Sequence, residues 1–292
     1  MSFFLPQQYL IGLDNVGNNN VAHANIPSGA ITYQELYLVG FNSSGAVVTA
    51  AQLAAELSGR VRLKIGSSNI YDVSVSAMQM LQQYYGRGNA SLSGVMPFLI
   101  ERNLMRSAGM EYALSIGTQN LKDFRIEVDC GTLTNISRLA LYAKVDNRSK
   151  PFGWHRRILM TPVTWGSGAG RFSDNKVNTF GESTDAAYTA FHIPDASSYL
   201  QSFTVKNNNF LHIDNVNVEV LKTISREDNR IPQTGYVHVP FDISDTAAGS
   251  LNLGGARNFV VEGETVTGAL GSFELITESY HGIPKELQPK RG

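Results

Sequence analysis

Apolar and polar positions alternate along most of the chain in short runs rich in β-branched and aromatic residues. Ile31-Thr32-Tyr33 through Val39, Val61-Arg62-Leu63-Lys64-Ile65 and Phe124-Arg125-Ile126-Glu127-Val128 show the period of two that turns one strand face to a core and the other to solvent. Turn formers punctuate them at β-sandwich spacing, as in Asn42-Ser43-Ser44-Gly45, Asn207-Asn208-Asn209 and Gly254-Gly255. A few stretches break the pattern. From Thr49 to Ser58, Thr49 lies three residues before Gln52, the spacing of a capping box, and Gly59 follows as a helix stop. Ser76 to Tyr85 sets Ala77, Met80, Leu81 and Tyr84 on one helical face and ends at Gly86. Another helix starts at Asn217 and buries Val218, Leu221 and Ile224. The predicted class is all-β with a few short helices.

The order of these elements is written twice. Val61 to Ile65, a polar turn, Ile70 to Val75, a helix from Ser76 and Val95 to Ile100 are echoed by Phe203 to Val205, a polar turn, Phe210 to Ile213, a helix from Asn217 and Val237 to Ile243. Each copy puts a Pro-Phe pair in its last strand, Pro97-Phe98 and Pro240-Phe241. Downstream, Phe124 to Glu127 corresponds to Phe259 to Glu262, and Leu139, Leu141 and Ala143 to Phe273, Leu275 and Thr277. A chain of 292 residues suits two domains. They are assigned to residues 1–150, with a leading arm, and 151–292, with a basic tail, and meet in the polar stretch Asn147 to Gly153. Gly166 to Thr184 and Ala247 to Ala256 read as long loops, of the kind that carries function or is covered by a partner.

Charge narrows the partners. The formal net charge is −1 and charged residues make up 17% of the chain, so no bulk attraction draws it to nucleic acid. No Lys or Arg precedes Arg60, which excludes a basic genome-binding arm. So uncharged a surface is expected to be partly covered by other subunits. Cys130 is the single cysteine, so no internal disulfide forms. The N-terminus lacks the basic segment of a signal peptide, and no apolar run approaches the ~20 residues that span a bilayer. Folding in a cytoplasm is expected.

Candidate chemistry is sparse. Gly166-x-Gly168-x-Gly170 follows a strand-like run but precedes no helix pattern, so it reads as a surface loop and not a phosphate cradle. The six histidines form no metal-binding spacing; His212 and His238 are candidates to approach each other across a sheet, against the plainer reading of half-buried strand residues. Glu127 with Asp129, and Asp242 with Asp245, are acids that serve a glycosidase, hold Ca2+ between subunits, or line a solvated face. Cys130 fits a small buried strand-end residue better than a nucleophile. Trp154 and Trp165 bracket an apolar strand and do not read as a sugar platform. No catalytic residue and no cofactor is assigned; structural Ca2+ is left open.

Tyr33 to Gly40, the helix Thr49 to Ser58, Gly59 to Leu63, the strand and helix Ile70 to Tyr85, Val95 to Arg102 and Leu121 to Val128 together resemble the double jelly-roll major capsid proteins of tailless icosahedral phages with an internal membrane, corticoviruses first and tectiviruses more distantly. The resemblance implies two tandem eight-stranded jelly-roll β-sandwiches. It also implies a homotrimer tiling an icosahedral shell as a pseudo-hexagon, with neighbouring trimers, minor capsid and vertex proteins and an internal viral membrane as partners. Such a protein is located in the virion, assembles in the host cytoplasm and makes no direct contact with nucleic acid. Competing readings are a phage receptor-binding or carbohydrate-binding or hydrolysing double sandwich, and a minor capsid or vertex protein. Phe3, Phe4 and Leu5, in an apolar N-terminal segment without Lys or Arg, are the candidates for inner-face membrane contact.

Overall fold

Strands that alternate apolar and polar residues need a second sheet to cover their apolar side, and both halves of the chain meet that need with the same strand order. A computed structural model describes residues 7–86, 93–100, 114–146, 150–165, 170–174, 187–208, 210–242, 250–252, 259–268 and 270–282. The chain divides into two compact units, Met1–Leu159 and Met160–Gly292.

In the first unit, β1 (Gln7–Gly12), β9 (Arg138–Asp146), β3 (Thr32–Phe41) and β6 (Val95–Phe98) lie side by side in that order, and the short β7 (Ile116–Gly117) pairs with the start of β3. Facing them, β2 (Val21–Asn25), β8 (Phe124–Asp129), β4 (Val61–Ile65) and β5 (Ser68–Val73) form the second sheet, again in that order. Lettered B to I along the chain, the eight principal strands read B-I-D-G and C-H-E-F, the order of a jelly roll. The inner faces follow the sequence alternation: Phe124, Ile126 and Val128 of β8 are buried while Arg125, Glu127 and Asp129 face out.

The second unit repeats the scheme. β10 (His155–Trp165) starts in the first unit and continues into the second, where its neighbours in order are β18 (Gly271–His281), β12 (Ala187–Pro194) and β15 (Tyr236–Pro240). β11 (Gly170–Asp174), β17 (Phe259–Thr265), β13 (Leu200–Asn207) and β14 (Phe210–Asn217) make the other sheet. These orders are again B-I-D-G and C-H-E-F, and β16 (Leu251–Asn252) pairs with β12 as β7 pairs with β3. Pro97 and Pro240 both fall in the G strand, at the end of their sheet. Proline has no N–H to donate to a ladder and is tolerated at such an edge.

Two loop assignments from the sequence need correction. The stretch Gly166 to Thr184 contains β11, paired from Gly170↔Thr265 to Asp174↔Val261, because a jelly roll needs a C strand beside H. Ala247 to Ala256 likewise contains β16.

The helices are local structures with local causes. α1 (Ala50–Glu56) has the full capping box: the Gln52 amide donates to Thr49 Oγ1 at 3.2 Å and the Thr49 amide to Gln52 Oε1 at 2.9 Å. α2 (Val75–Tyr84), capped by Ser74, ends at Gly86 with φ +66°, the left-handed stop that glycine adopts freely. α3 (Val218–Glu227) is capped by Asn217; it buries Val218, Leu221 and Ser225, while Ile224 is only half-buried.

Gly59 departs from the expectation of a helix stop. α1 already ends at Glu56, and Gly59 does not have left-handed backbone. It is glycine because β8 passes so close that an added Cβ would lie 2.5 Å from Asp129 Cβ. That approach lets Asp129 bind Arg62 through both guanidinium nitrogens, at 2.8 and 2.6 Å, and accept the Arg60 amide at 3.2 Å. Glu56, at the end of the same helix, accepts the amides of Thr134, Asn135 and Ile136 at 2.8–3.0 Å and the Asn135 side chain at 2.6 Å. Burial pushes the Glu56 carboxyl up, but these hydrogen bonds outweigh it and hold the pKa below the ordinary value.

Gly59→Ala must displace Asp129, so it is expected to destabilise the protein by about 1–3 kcal/mol in chemical unfolding. Gly12→Ala, where a new Cβ meets nothing within 4 Å, serves as the control and should change stability little.

Candidate functional site

The residues singled out for chemistry are mostly engaged in holding the sandwiches together. In unit 1, Glu127 and Asp129 project from the outer face of β8 toward cations. Lys64 Nζ lies 3.3 Å and Arg125 Nε 3.2 Å from Glu127, and Arg62 grips Asp129 and stands 3.7 Å from Asp72. The hydrogen bond to Asp129, ahead of the opposing effect of burial, raises the Arg62 pKa. These half-exposed pairs form a ladder of alternating sign across β8, β4 and β5, worth about 0–1 kcal/mol each, not a pair of acids awaiting a substrate.

Cys130 is buried at the end of β8, where burial pushes its thiol pKa up and so away from the reactive thiolate. Trp154 and Trp165 are both buried and offer no sugar platform. Gly170 opens a strand, so the glycine-rich segment lacks the helix a phosphate loop requires. Gly166, Gly168 and Asp245 lie outside the described residues, as do Phe3, Phe4 and Leu5.

The histidine pairing needs correction. His212 is exposed on β14, and the partner of His238 is His192, directly opposite it in the β12–β15 register. The two Nδ1 atoms are 2.7 Å apart, His192 Nε2 is 2.7 Å from Glu278 Oε1, and the Gln233 amide donates to His238 Nε2 at 3.0 Å. These partners fix the protons. Because His238 Nε2 accepts, its Nδ1 carries the hydrogen and donates to His192 Nδ1; His192 then donates from Nε2 to Glu278. The relay runs from a backbone amide through two neutral rings to a carboxylate, and all three side chains are buried. Nearby, buried Arg230 bridges Asp228 at 2.7 Å and Asp242 at 3.0 Å and also reaches the Asp242 carbonyl. Burial, with the positive charge of Arg230 second, lowers the His238 pKa to about 3.

The missed signals were histidines and an acid inside otherwise apolar strands: His192 in the wholly buried run of β12, His238 between Val237 and Val239, and Glu278 in the buried part of β18. Beside α3 a cleft of about 400 Å³ is lined by Asp195, Tyr199, Gln201, Lys222, Gln233 and Tyr236. Its acid is already used, since Asp195 accepts the amides of Tyr199 and Leu200 at 2.9 Å. Among the described residues, no group of three or more His, Cys, Asp or Glu is placed to hold a metal ion, and no helix is long and apolar enough to cross a membrane.

Comparison with known proteins agrees with this scaffold-like picture. Residues 7–146 match the model of the viral coat protein P2 N-terminal domain, a span that runs from the first residue of β1 to the last of β9. No curated protein sequence matches the chain. Among solved structures, the major capsid protein P2 from bacteriophage PM2 superposes with a TM-score of 0.75 at 15% identity, covering 96% of this chain and 99% of that one. The STIV MCP gives 0.63 at 12% identity, with 96% and 98% covered, and the Faustovirus major capsid protein 0.63 at 8%, with 97% and 92% covered. At these identities the likeness establishes the double jelly-roll fold.

With a folded pKa near 3 and an unfolded value near 6.5, His238 contributes stability that is complete above about pH 6.5 and is lost as pH falls toward 3. His238→Gln should therefore flatten the stability profile between pH 6 and 4 by up to about 1.4 kcal/mol per pH unit relative to the parent, measured by urea unfolding. Equal slopes would show that His238 takes up a proton in the folded state.

Proposed function

We propose that this chain, whose residues 7–146 resemble the viral coat protein P2 N-terminal domain, is a major capsid protein that works as a homotrimeric tile of an icosahedral shell around an internal membrane. The observation that carries the reading is the repetition of one strand order, B-I-D-G over C-H-E-F, in two units of a single chain. Three such chains supply six similar lobes, so a three-fold oligomer packs among six neighbours without a second gene product. The engagement of the candidate catalytic side chains in structural bonds supports a non-enzymatic role. The net charge of −1 supports a shell that does not touch its genome directly. Assembly in the host cytoplasm, into a virion that also holds minor capsid and vertex proteins, follows from the same reading.

The membrane side of the proposal rests on composition. Phe3, Phe4 and Leu5 belong to an apolar segment without a cation, suited to lie at a bilayer interface and too short to span it. Each contact is weak, and multiplication over a lattice of trimers makes it effective.

Light scattering behind size exclusion should return three times the 31.9 kDa chain mass at micromolar concentration; a monomer there would remove the tile reading. A variant lacking residues 2–6, which leaves β1 intact, should remain trimeric and lose most of its adsorption to lipid vesicles. Undiminished adsorption would remove the membrane role of Phe3, Phe4 and Leu5.

A further inference from the structure

The two units differ at one sheet edge. In unit 1 the F strand, β5, is closed on its outer side: Ile158 and Leu159 run parallel to Tyr71 and Asp72. That segment is pinned, because Arg157 Nε donates to the Asn69 carbonyl at 2.8 Å and Arg156 Nη1 to the Leu99 carbonyl at 3.2 Å. Ile70, Tyr71 and Val73 of β5 are buried. In unit 2 the corresponding strand is β14, the last strand of its sheet, and among the described residues nothing runs along its outer edge.

The sequence of β14 is not that of a protected edge. It reads Phe-Leu-His-Ile-Asp-Asn-Val-Asn, with no Lys, Arg or Pro to discourage pairing. None of its residues is buried, and Phe210 and Leu211 are 54% and 46% exposed. The pairing of β14 with β13 shifts register twice, beside Asn215 at φ +48° and again at His212, so Phe210–Ile213 is an exposed, mostly apolar stretch with one bulge within it. Phe210 and His212 stack edge to face with centroids 4.9 Å apart and present an aromatic step beside that edge.

We infer that the outer edge of β14, centred on Phe210–Ile213, is the surface on which a second copy of this chain docks. The inference deepens the homotrimer reading and rests on it. The occupant follows from the duplication: two jelly rolls of one design have the same unsatisfied F edge, and the described residues close only the first. The second is closed by the next copy, whose own β14 is again open. Such a head-to-tail contact closes into a ring when the rotation per copy permits, as in a trimer. Added backbone pairing supplies affinity and the exposed Phe210 and Leu211 supply register.

Cys130 is the single cysteine and is buried, so a thiol introduced elsewhere reports alone. In the full chain, Leu211→Cys should react with a maleimide at least tenfold more slowly than Val47→Cys, a comparably exposed position in unit 1. Phe210→Asp with Leu211→Asp should turn the oligomer into a monomer with unchanged far-UV circular dichroism. A trimer in which Leu211→Cys labels as fast as Val47→Cys overturns the β14 interface and leaves the trimer standing. A monomeric parent protein overturns both. If the double aspartate variant does not fold, the labelling ratio decides alone.

Discussion

Every backbone N–H and C=O of a strand must find a partner outside that strand, and an open sandwich cannot provide one for the outermost strands of its sheets. This constraint organises the molecule. The B-I-D-G and C-H-E-F orders give each inner strand a neighbour on both sides and concentrate the unmet demand at a few edges. In unit 1, the chain spends Ile158 and Leu159 on closing the edge of β5 before β10 becomes the first strand of unit 2. In unit 2 the same edge is left with apolar side chains beside it. A protein meant to remain alone would gain from lysine, arginine or proline there, and β14 has none of them.

The two units share one way of securing loops, and the second adds a buried polar relay. Unit 1 secures long loops with carboxylates: Glu56 gathers three consecutive amides of residues 134–136, and Asp129 ties β8 to β4. Unit 2 uses the same device at Asp195, which accepts the amides of Tyr199 and Leu200, and adds the His192–His238–Glu278 relay among its strands. A buried relay of this kind adds little net stability over an apolar core, but it penalises any register in which the two histidines fail to meet.

Where structure has a local cause, the sequence revealed it. Thr49 with Gln52, Gly86 and Asn217 mark helix ends through contacts a few residues long, and β4, β8 and β17 alternate cleanly because one face of each is wet. β12 was obscure because it is buried on both faces and loses its period, and β11 because it is short and sits between stretches rich in turn formers. Gly59 was misread because its cause, the close passage of Asp129, lies far along the chain. The candidate chemistry failed for the same reason. His212 and His238 were expected to meet across a sheet, yet they lie in different sheets, and register sets His238 opposite His192, 46 positions away. Pairing across a sheet depends on topology, which a period of two does not encode.

The prolines of the G strands make the two outer edges of each roll unequal. Pro97 and Pro240 occupy the same edge of their respective jelly rolls, each removing a donor from the ladder just where another strand would arrive. Each roll is thus refractory on its G side, while the second roll is receptive on its F side. Two missing hydrogens, at equivalent places in the two rolls, would thus leave one edge of each less able to accept a strand.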